Sequence, residues 1–308
     1  MTKILLTGGN GFIGKNLIQT LNKYHSKIEV HAICRKNNFF LHDNLKVHLV
    51  DLYNYEVLRD VVKSISPNIV IHLAYSKDRN DNKHIINEDY FNNLKNAFNI
   101  IESTRNLKSL KKFIFFGSCD EYGDQKKPYQ ENQLEKPITS YGLSKLSITK
   151  LLKALNYKEN YPSIVVRPSV VYGKGQDTQM FLPSLANSLN NCSNFNMTMG
   201  EQFRDYIYID DLIEALVLLI NKKDNLELGE VINITYGQSF PIKEIAASFA
   251  NMIKKNGEKK LKIGSIKYRD SEVMNYFTSN QKAKNLLGWY PKTSLELGLK
   301  KLALSYTE

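Results

Sequence analysis

Tyr141 and Lys145 stand at i and i+4 in Tyr141-Gly142-Leu143-Ser144-Lys145, so a helix there turns both side chains to one face. A phenol ordinarily titrates near 10, and an ammonium held beside it stabilises the phenolate and brings it toward working pH. Such a pair suits proton transfer at a reacting hydroxyl. Ser118 sits in Gly117-Ser118-Cys119-Asp120-Glu121-Tyr122-Gly123, directly after the apolar run Phe113–Phe116. From a strand end its hydroxyl can hold a reacting oxygen close to the phenol.

A phosphate cradle lies at the other end of this half: Thr7-Gly8-Gly9-Asn10-Gly11-Phe12-Ile13-Gly14. It follows one apolar run and opens a helical pattern. Gly8 suits a tight turn, Gly11 a close approach of backbone to pyrophosphate, and Gly14 close helix–strand packing. The free N–H groups of the helix N-terminus, at Phe12 and Ile13, then face the phosphates. Cys34-Arg35-Lys36 ends the second strand pattern, where a carboxylate would bond the ribose hydroxyls of NAD(H). A guanidinium there binds a 2′-phosphate, so Arg35 and Lys36 favour NADP(H), with NAD(H) as the alternative if both are ordinary surface cations. Asp51 and Leu52 follow the third strand pattern. Asp51 either bonds the adenine edge or caps the helix ahead of it.

These residues require a scaffold that gathers strand ends. Ile4–Leu6, Val30–Cys34, Val47–Val50, Ile69–Leu73, Phe113–Phe116 and Ile164–Val166 read as strands, mostly continuous apolar runs of the buried parallel kind. Gly14–Lys23, Tyr55–Ser64, Asp89–Thr104 and Tyr141–Leu155 read as helices, and Leu17, Ile18 and Leu21 form an apolar face on the first. The alternation predicts an α/β, doubly wound parallel sheet, Rossmann-like, with a smaller C-terminal α/β substrate lobe. Residues 1–176 are expected to form mainly the dinucleotide-binding domain. Residues 177–308 are expected to form mainly the lobe, with some segments returning to the core.

The 308 residues are 42% hydrophobic and 24% charged, which is enough to bury a core and excludes a disordered chain. The longest aliphatic run, Ala215–Ile220, is six residues, far short of the roughly 20 a membrane helix needs, so no membrane insertion is expected. Cys34, Cys119 and Cys192 are scattered, which implies neither disulfides nor a metal site and suits a cytoplasmic setting. The net charge is +11, from 42 Lys+Arg against 31 Asp+Glu. Its basic groups lack interleaved aromatics, so a solvated surface is favoured and no nucleic-acid partner is expected.

The sequence resembles the extended short-chain dehydrogenases/reductases, the NAD-dependent epimerase/dehydratase group acting on nucleotide sugars. The resemblance spans essentially the whole chain. The glycine loop, His72-Leu73-Ala74, Asn93, and the set Ser118, Tyr141 and Lys145 match the family's pattern. Arg167-Pro168-Ser169-Val170-Val171-Tyr172-Gly173 is similar to its RPxxxYG turn, with Ser169 where Asn is usual. Gly200–Asp211, Arg269 and Leu287-Gly288-Trp289-Tyr290-Pro291 are similar to its later signatures. The resemblance implies Leu73 and Ala74 beside the cofactor, Tyr141 moving a proton, Lys145 on the nicotinamide ribose and Ser169 at the substrate. It also implies Arg204 and Arg269 as diphosphate clamps, for which a salt bridge of Arg204 to Asp205 or Asp210 is the competing use. A homodimer through the helices carrying Asn93 and Tyr141 is implied as well.

Dehydratases of this kind place Glu two residues after the catalytic Ser/Thr. Here Asp120 stands at that offset, one methylene shorter, either as a base or as a positioning or structural residue. Glu121 occupies a position that is usually apolar. Arg35 and Lys36, and a similarity to abequose/paratose-synthase-type reductases, favour NADPH-dependent reduction of the 4-keto group of a nucleotide-activated 6-deoxyhexose, a step of surface-polysaccharide precursor synthesis. The alternatives are a 4-epimerase with retained NAD, a 4,6-dehydratase using Asp120, and a dinucleotide-sensing or RNA-binding protein on the same fold.

Overall fold

The structure is a computed structural model that describes residues 1–24, 27–36, 44–75, 86–222, 229–269 and 272–307. Strands and helices alternate through the first half: β1 (Thr2–Thr7), α1 (Phe12–Tyr24), β2 (Ile28–Cys34), β3 (Leu45–Leu49), α2 (Tyr55–Ile65), β4 (Ile69–His72), α3 (Glu88–Thr104), β5 (Lys112–Phe116), α4 (Ser140–Glu159) and β6 (Ser163–Pro168). There follow β7 (Val170–Tyr172), α5 (Phe181–Asn190), β8 (Phe195–Met197), β9 (Phe203–Tyr208), α6 (Ile209–Asn221), β10 (Val231–Ile234) and β11 (Ser239–Pro241). The chain closes with α7 (Ile242–Ile253), β12 (Leu261–Ile263), β13 (Asn275–Tyr276), α8 (Gln281–Leu287) and α9 (Leu295–Thr307). Each element expected between Ile4 and Val166 forms, with shifted ends: the strand read at Val47–Val50 lies at Leu45–Leu49, and Leu73 falls just past β4.

Two compact units result. The first holds residues 1–123, 134–167 and 216–232, and the second 124–133, 168–215 and 233–308. The main crossing lies at Arg167–Pro168, ahead of residue 176.

Among the described residues the large sheet runs β10-β6-β5-β4-β1-β2-β3. The pairings from β6 across to β3 are all parallel. The chain steps one way from β1 through β2 to β3, then returns to lay β4, β5 and β6 on the other side. The order therefore reverses between β1 and β4, and a crevice at such a reversal is where open α/β sheets bind ligands. On one face Leu58, Val62 and Ile65 of α2, Ala97, Ile100 and Ile101 of α3, and Ile148 and Leu152 of α4 pack on Leu5, Val70, Phe113, Phe115 and Val165. Each Leu, Ile, Val or Phe among them contributes about 1.5–3 kcal/mol when fully buried. Leu17, Ile18 and Leu21 of α1 are buried as well.

Local chemistry sets the helix ends. Asn54 caps α2 by accepting from Val57 N–H at 3.3 Å, and Thr139 caps α4 by accepting from Gly142 N–H at 3.0 Å. The latter places Tyr141 in the first turn of α4.

In the second unit β9 pairs with β7, β11 and β13. Asp211 accepts the N–H and hydroxyl of Thr293 at 3.0 and 3.1 Å, and buried Trp289 donates to Asp211 O at 3.1 Å. The late tryptophan signature thus docks on the signature around β9. Among the described residues no helix is long and apolar enough to cross a membrane.

Candidate active site

The glycine turn follows β1 and packs against the segment after β4. Gly8 has φ +69°, and a Cβ there would lie 2.7 Å from Ala74 N; a Cβ on Gly14 would lie 2.6 Å from Gly8 O. Only glycine lets the two strand ends and the helix start close up this way. The Thr7 hydroxyl ties the same edge, accepting from Ala74 N–H at 3.3 Å and meeting His72 Nδ1 at 2.7 Å. Burial pulls the His72 pKa down to about 3, with the Lys145 charge adding to it, so its imidazole is neutral. Gly8, Gly11, Phe12, Ile13, Leu73 and Ala74 are thereby gathered at the reversal between β1 and β4. This cradle, which a Cβ would fill, fits a dinucleotide's pyrophosphate on the N-terminus of α1.

Arg35 and Lys36 are exposed and follow β2 directly. Asp51 is not the cap of α2, because Asn54 takes that role; Asp51 Oδ1 accepts from Tyr53 N–H at 3.0 Å instead. Leu52 is buried against the core under α2 and α3.

Ser118, Tyr141 and Lys145 come together. Ser118 caps the short helical turn Cys119–Glu121, its Oγ accepting from Asp120 N–H at 3.1 Å. The Tyr141 and Ser118 hydroxyls are hydrogen-bonded. Lys145 Nζ donates to Phe116 O at 2.7 Å and lies 5.9 Å from the Tyr141 ring centroid. Burial pulls the Lys145 pKa down to about 7, while the Glu121 carboxylate opposes the fall. The expectation that Lys145 depresses the Tyr141 phenol is not met. Burial pushes the phenol above its ordinary range, Asp120 adds to the rise, and the Ser118 hydrogen bond only partly offsets both. Asp120 is therefore at the site, as a charge acting on Tyr141.

Two features escape the motif reading. Tyr75, just past Ala74, sets its ring edge-on to Tyr141 with centroids 4.8 Å apart and 4.5 Å from Lys145 Nζ. The second is a buried ion-pair cluster in which Arg167 contacts Glu121 Oε2 at 2.6 Å and Glu135 Oε1 at 2.9 Å. Its trace in the sequence is a charge at a usually apolar position, Glu121, and another ending an apolar strand, Arg167.

The remaining expected residues lie in the second unit. The Ser169 hydroxyl donates to Asp205 Oδ1 at 2.8 Å. Arg204 pairs with Glu272 and donates to Val273 O at 2.6 Å, so its salt-bridge partner is neither Asp205 nor Asp210. Asp205 is buried under Ser169, and Asp210 faces Lys301 at 3.5 Å. Glu272 N–H donates to Arg269 O at 3.0 Å, which ties the Arg269 backbone to the partner of Arg204. Asp270 and Ser271 of that stretch lie outside the described residues.

The profile of the NAD dependent epimerase/dehydratase family matches residues 4–235. The chain belongs to this family. A CDP-abequose synthase of Salmonella muenchen is 27% identical over 97% of the chain and 96% of its own length. A dTDP-4-dehydro-6-deoxyglucose reductase of Escherichia coli is 28% identical over 98% of the chain and 96% of its own length. A UDP-glucuronic acid 4-epimerase of Bacillus cereus, solved with UDP-glucuronic acid and NAD, superposes with a TM-score of 0.86 at 26% identity, covering 99% of each chain. As a member of the epimerase/dehydratase family the chain is an NAD(P)-dependent enzyme, and its glycine cradle is the part of the first unit that fits such a dinucleotide.

Proposed function

We propose that this enzyme reduces the 4-keto group of a nucleotide-activated 6-deoxyhexose with NADPH. The observation that carries the reading is the pair Arg35 and Lys36, exposed directly after β2 where NAD(H) calls for a carboxylate and a 2′-phosphate for cations. Burial and the Asp120 charge push the Tyr141 phenol up, which suits the acid of a reduction. The likeness to a CDP-abequose synthase and a dTDP-4-dehydro-6-deoxyglucose reductase supports the substrate class. A cytoplasmic setting goes with the reduced cofactor, and Phe91 and Phe98, exposed on α3, support a homodimer through α3 and α4.

Gly8, Gly11, Phe12 and Ile13 would hold the pyrophosphate, Leu73 and Ala74 would line the ring, and Arg35 with Lys36 would take the 2′-phosphate. The bound nicotinamide supplies the hydride that reaches the carbonyl carbon. Ser118 donates a hydrogen bond to the keto oxygen and holds it beside Tyr141. Tyr141 passes its proton to that oxygen, completing the hydroxyl. Lys145, as the ammonium, stabilises the phenolate left behind and bonds the ribose. In the second unit Arg204 and Arg269 are assigned to the substrate diphosphate, with Ser169 as a further contact.

The test is Tyr141→Phe with a nucleoside-diphosphate 4-keto-6-deoxyhexose. NADPH oxidation should fall by about 100-fold or more, the scale of general acid catalysis, and a near-wild-type rate would refute the mechanism. Arg35→Ala should weaken NADPH binding and leave NADH binding unchanged; equal wild-type affinities for the two would remove the 2′-phosphate assignment. The second reading, a 4-epimerase, has the Bacillus cereus likeness in its favour and predicts NAD retained through purification.

A further inference from the structure

Behind Ser118 runs an unbroken line of charge. Ser118 N–H donates to Glu121 Oε1 at 2.9 Å. Glu121 Oε2 accepts from Arg167 Nε at 3.0 Å and from Arg167 Nη2 at 2.6 Å. Arg167 Nη2 also donates to Glu135 Oε1 at 2.9 Å, and Glu135 Oε2 accepts from Lys150 Nζ at 2.7 Å. The Arg167 and Glu121 side chains are 0% exposed and that of Glu135 is 3%, while Lys150 reaches the surface at 51%. Two cations and two carboxylates sum to zero.

Four pieces of chain meet in this line: the turn after β5, the end of β6, the segment before α4, and α4 itself. α4 also carries Tyr141 and Lys145. The register of β5 on β6, with Phe116 beside Val166, sets Arg167 next to the turn that holds Ser118. Gly117 leaves the passage open, since a Cβ there would collide with the Glu121 carboxylate and stand 3.3 Å from Arg167 Cγ.

Stability does not require these charges. Taking them from water costs several kcal/mol per ion, and well-packed apolar side chains often serve a core as well or better. What apolar side chains cannot do is grip the Ser118 amide while anchored to α4.

We propose that Glu121, Arg167, Glu135 and Lys150 form a charged brace that sets Ser118 against the helix bearing Tyr141 and Lys145, with Glu121 as the positioning residue. This rests on the catalytic reading of those three residues given above. Glu121 has a second effect. Lys145 faces Phe116 O, the rings of Phe115, Tyr75 and Tyr141, and the neutral His72. The Glu121 carboxylate is the anion that works against burial to keep Lys145 protonated.

Glu121→Gln separates the brace from a merely structural cluster, because the amide oxygen can still accept from Ser118 N–H while the charge is lost. With NADPH and a nucleoside-diphosphate 4-keto-6-deoxyhexose, kcat should fall by about ten- to a hundredfold, the scale of an ångström's misplacement, with KM and NADPH affinity unchanged. The 13C signal of the Lys145 ε-carbon should titrate at lower pH than in the wild-type protein. An unchanged kcat and Lys145 midpoint, with only a lower melting temperature, would overturn the brace. Should Glu121→Gln fail to fold, Lys150→Gln at the exposed end replaces it, with a severalfold fall in kcat expected and an unchanged kcat overturning the proposal. The Lys145 titration stands apart from turnover. A wild-type protein inactive on the keto sugar, but with the midpoint shifted in Glu121→Gln, supports the brace and overturns the proposed reaction.

Discussion

Each unit buries a carboxylate among its motif residues, and the two are compensated in opposite ways. In the first unit Glu135 shares Arg167 with Glu121 and takes a further bond from Lys150. Burial opposes its charge, yet the bonds from Lys150 and Arg167 pull its pKa down to about 2. In the second unit Asp205 is fully buried and is met by neutral donors: the Ser169 hydroxyl, Tyr236 N–H at 3.0 Å, Gly237 N–H at 2.9 Å and the Thr278 backbone. There burial wins and pushes the pKa up to about 7. The difference shows that neutral donors alone do not offset the loss of water around a charge, whereas bonds from two cations do. In the first unit Glu135 and Arg167 keep their charges across the working pH range, and the second holds a carboxyl that changes state within it.

The largest effect expected of this contrast is in Arg167→Met. It leaves Glu121 and Glu135 facing each other without the shared cation, and it removes the guanidinium that lies 4.6 Å over the Tyr122 ring. Breaking a buried pair from one side costs about 3–5 kcal/mol. Urea unfolding at neutral pH measures it, and a loss below about 1 kcal/mol, the level of a surface pair, would break the comparison.

That cluster also marks where sequence reading stops. Short-range patterns were legible: the glycine turn, the phenol–ammonium spacing, the apolar runs that became β1 to β6, and so the meeting of Ser118, Tyr141 and Lys145. Apart from that meeting, which joins the turn after β5 to α4, each depends on neighbours within a turn or a strand. Arg167 and Glu121 are 46 positions apart, and their contact depends on the register of β6 on β5. The pairing of Arg204 with Glu272 is likewise set by β13 lying beside β9, with Tyr276 level with Arg204. The height of the Tyr141 pKa was misread for a related reason: spacing places the ammonium, but burial is a property of the whole fold.

Ser169→Ala carries the next effect and is sensitive to pH. The pKa of Asp205 near 7 lies above its ordinary 3.8, so the native state holds a proton the unfolded chain has lost between those values. The contribution of this group to stability is therefore greatest below about pH 4 and declines as pH rises to about 7. For Glu135 the sign reverses: its stabilisation is present above the ordinary 4.5 and is lost as pH falls toward 2. Removing the Ser169 hydroxyl should cost about 1.5–3 kcal/mol above pH 8, where it donates to a carboxylate, and about 0.5–1.5 kcal/mol at pH 5, where the carboxyl is neutral. Denaturation series at the two pH values test this, and equal costs would mean that Asp205 does not titrate between them.

The smallest effect belongs to Lys150→Gln, and it sharpens the contrast inside the first unit. Lys150 contacts Glu135 from the solvent side, with half of its own side chain exposed. Water screens that end of the cluster and leaves the Arg167 end dry. The variant should lose only about 0.2–1 kcal/mol, as half-exposed pairs do. The loss should also shrink in 1 M salt, where the screening length is about 3 Å, while the cost of Arg167→Met should barely change. Paired urea melts at low and high salt measure both. A Lys150→Gln loss as large and as salt-insensitive as that of Arg167→Met would mean that the fold depends on the surface lysine of Glu135 as much as on its buried arginine.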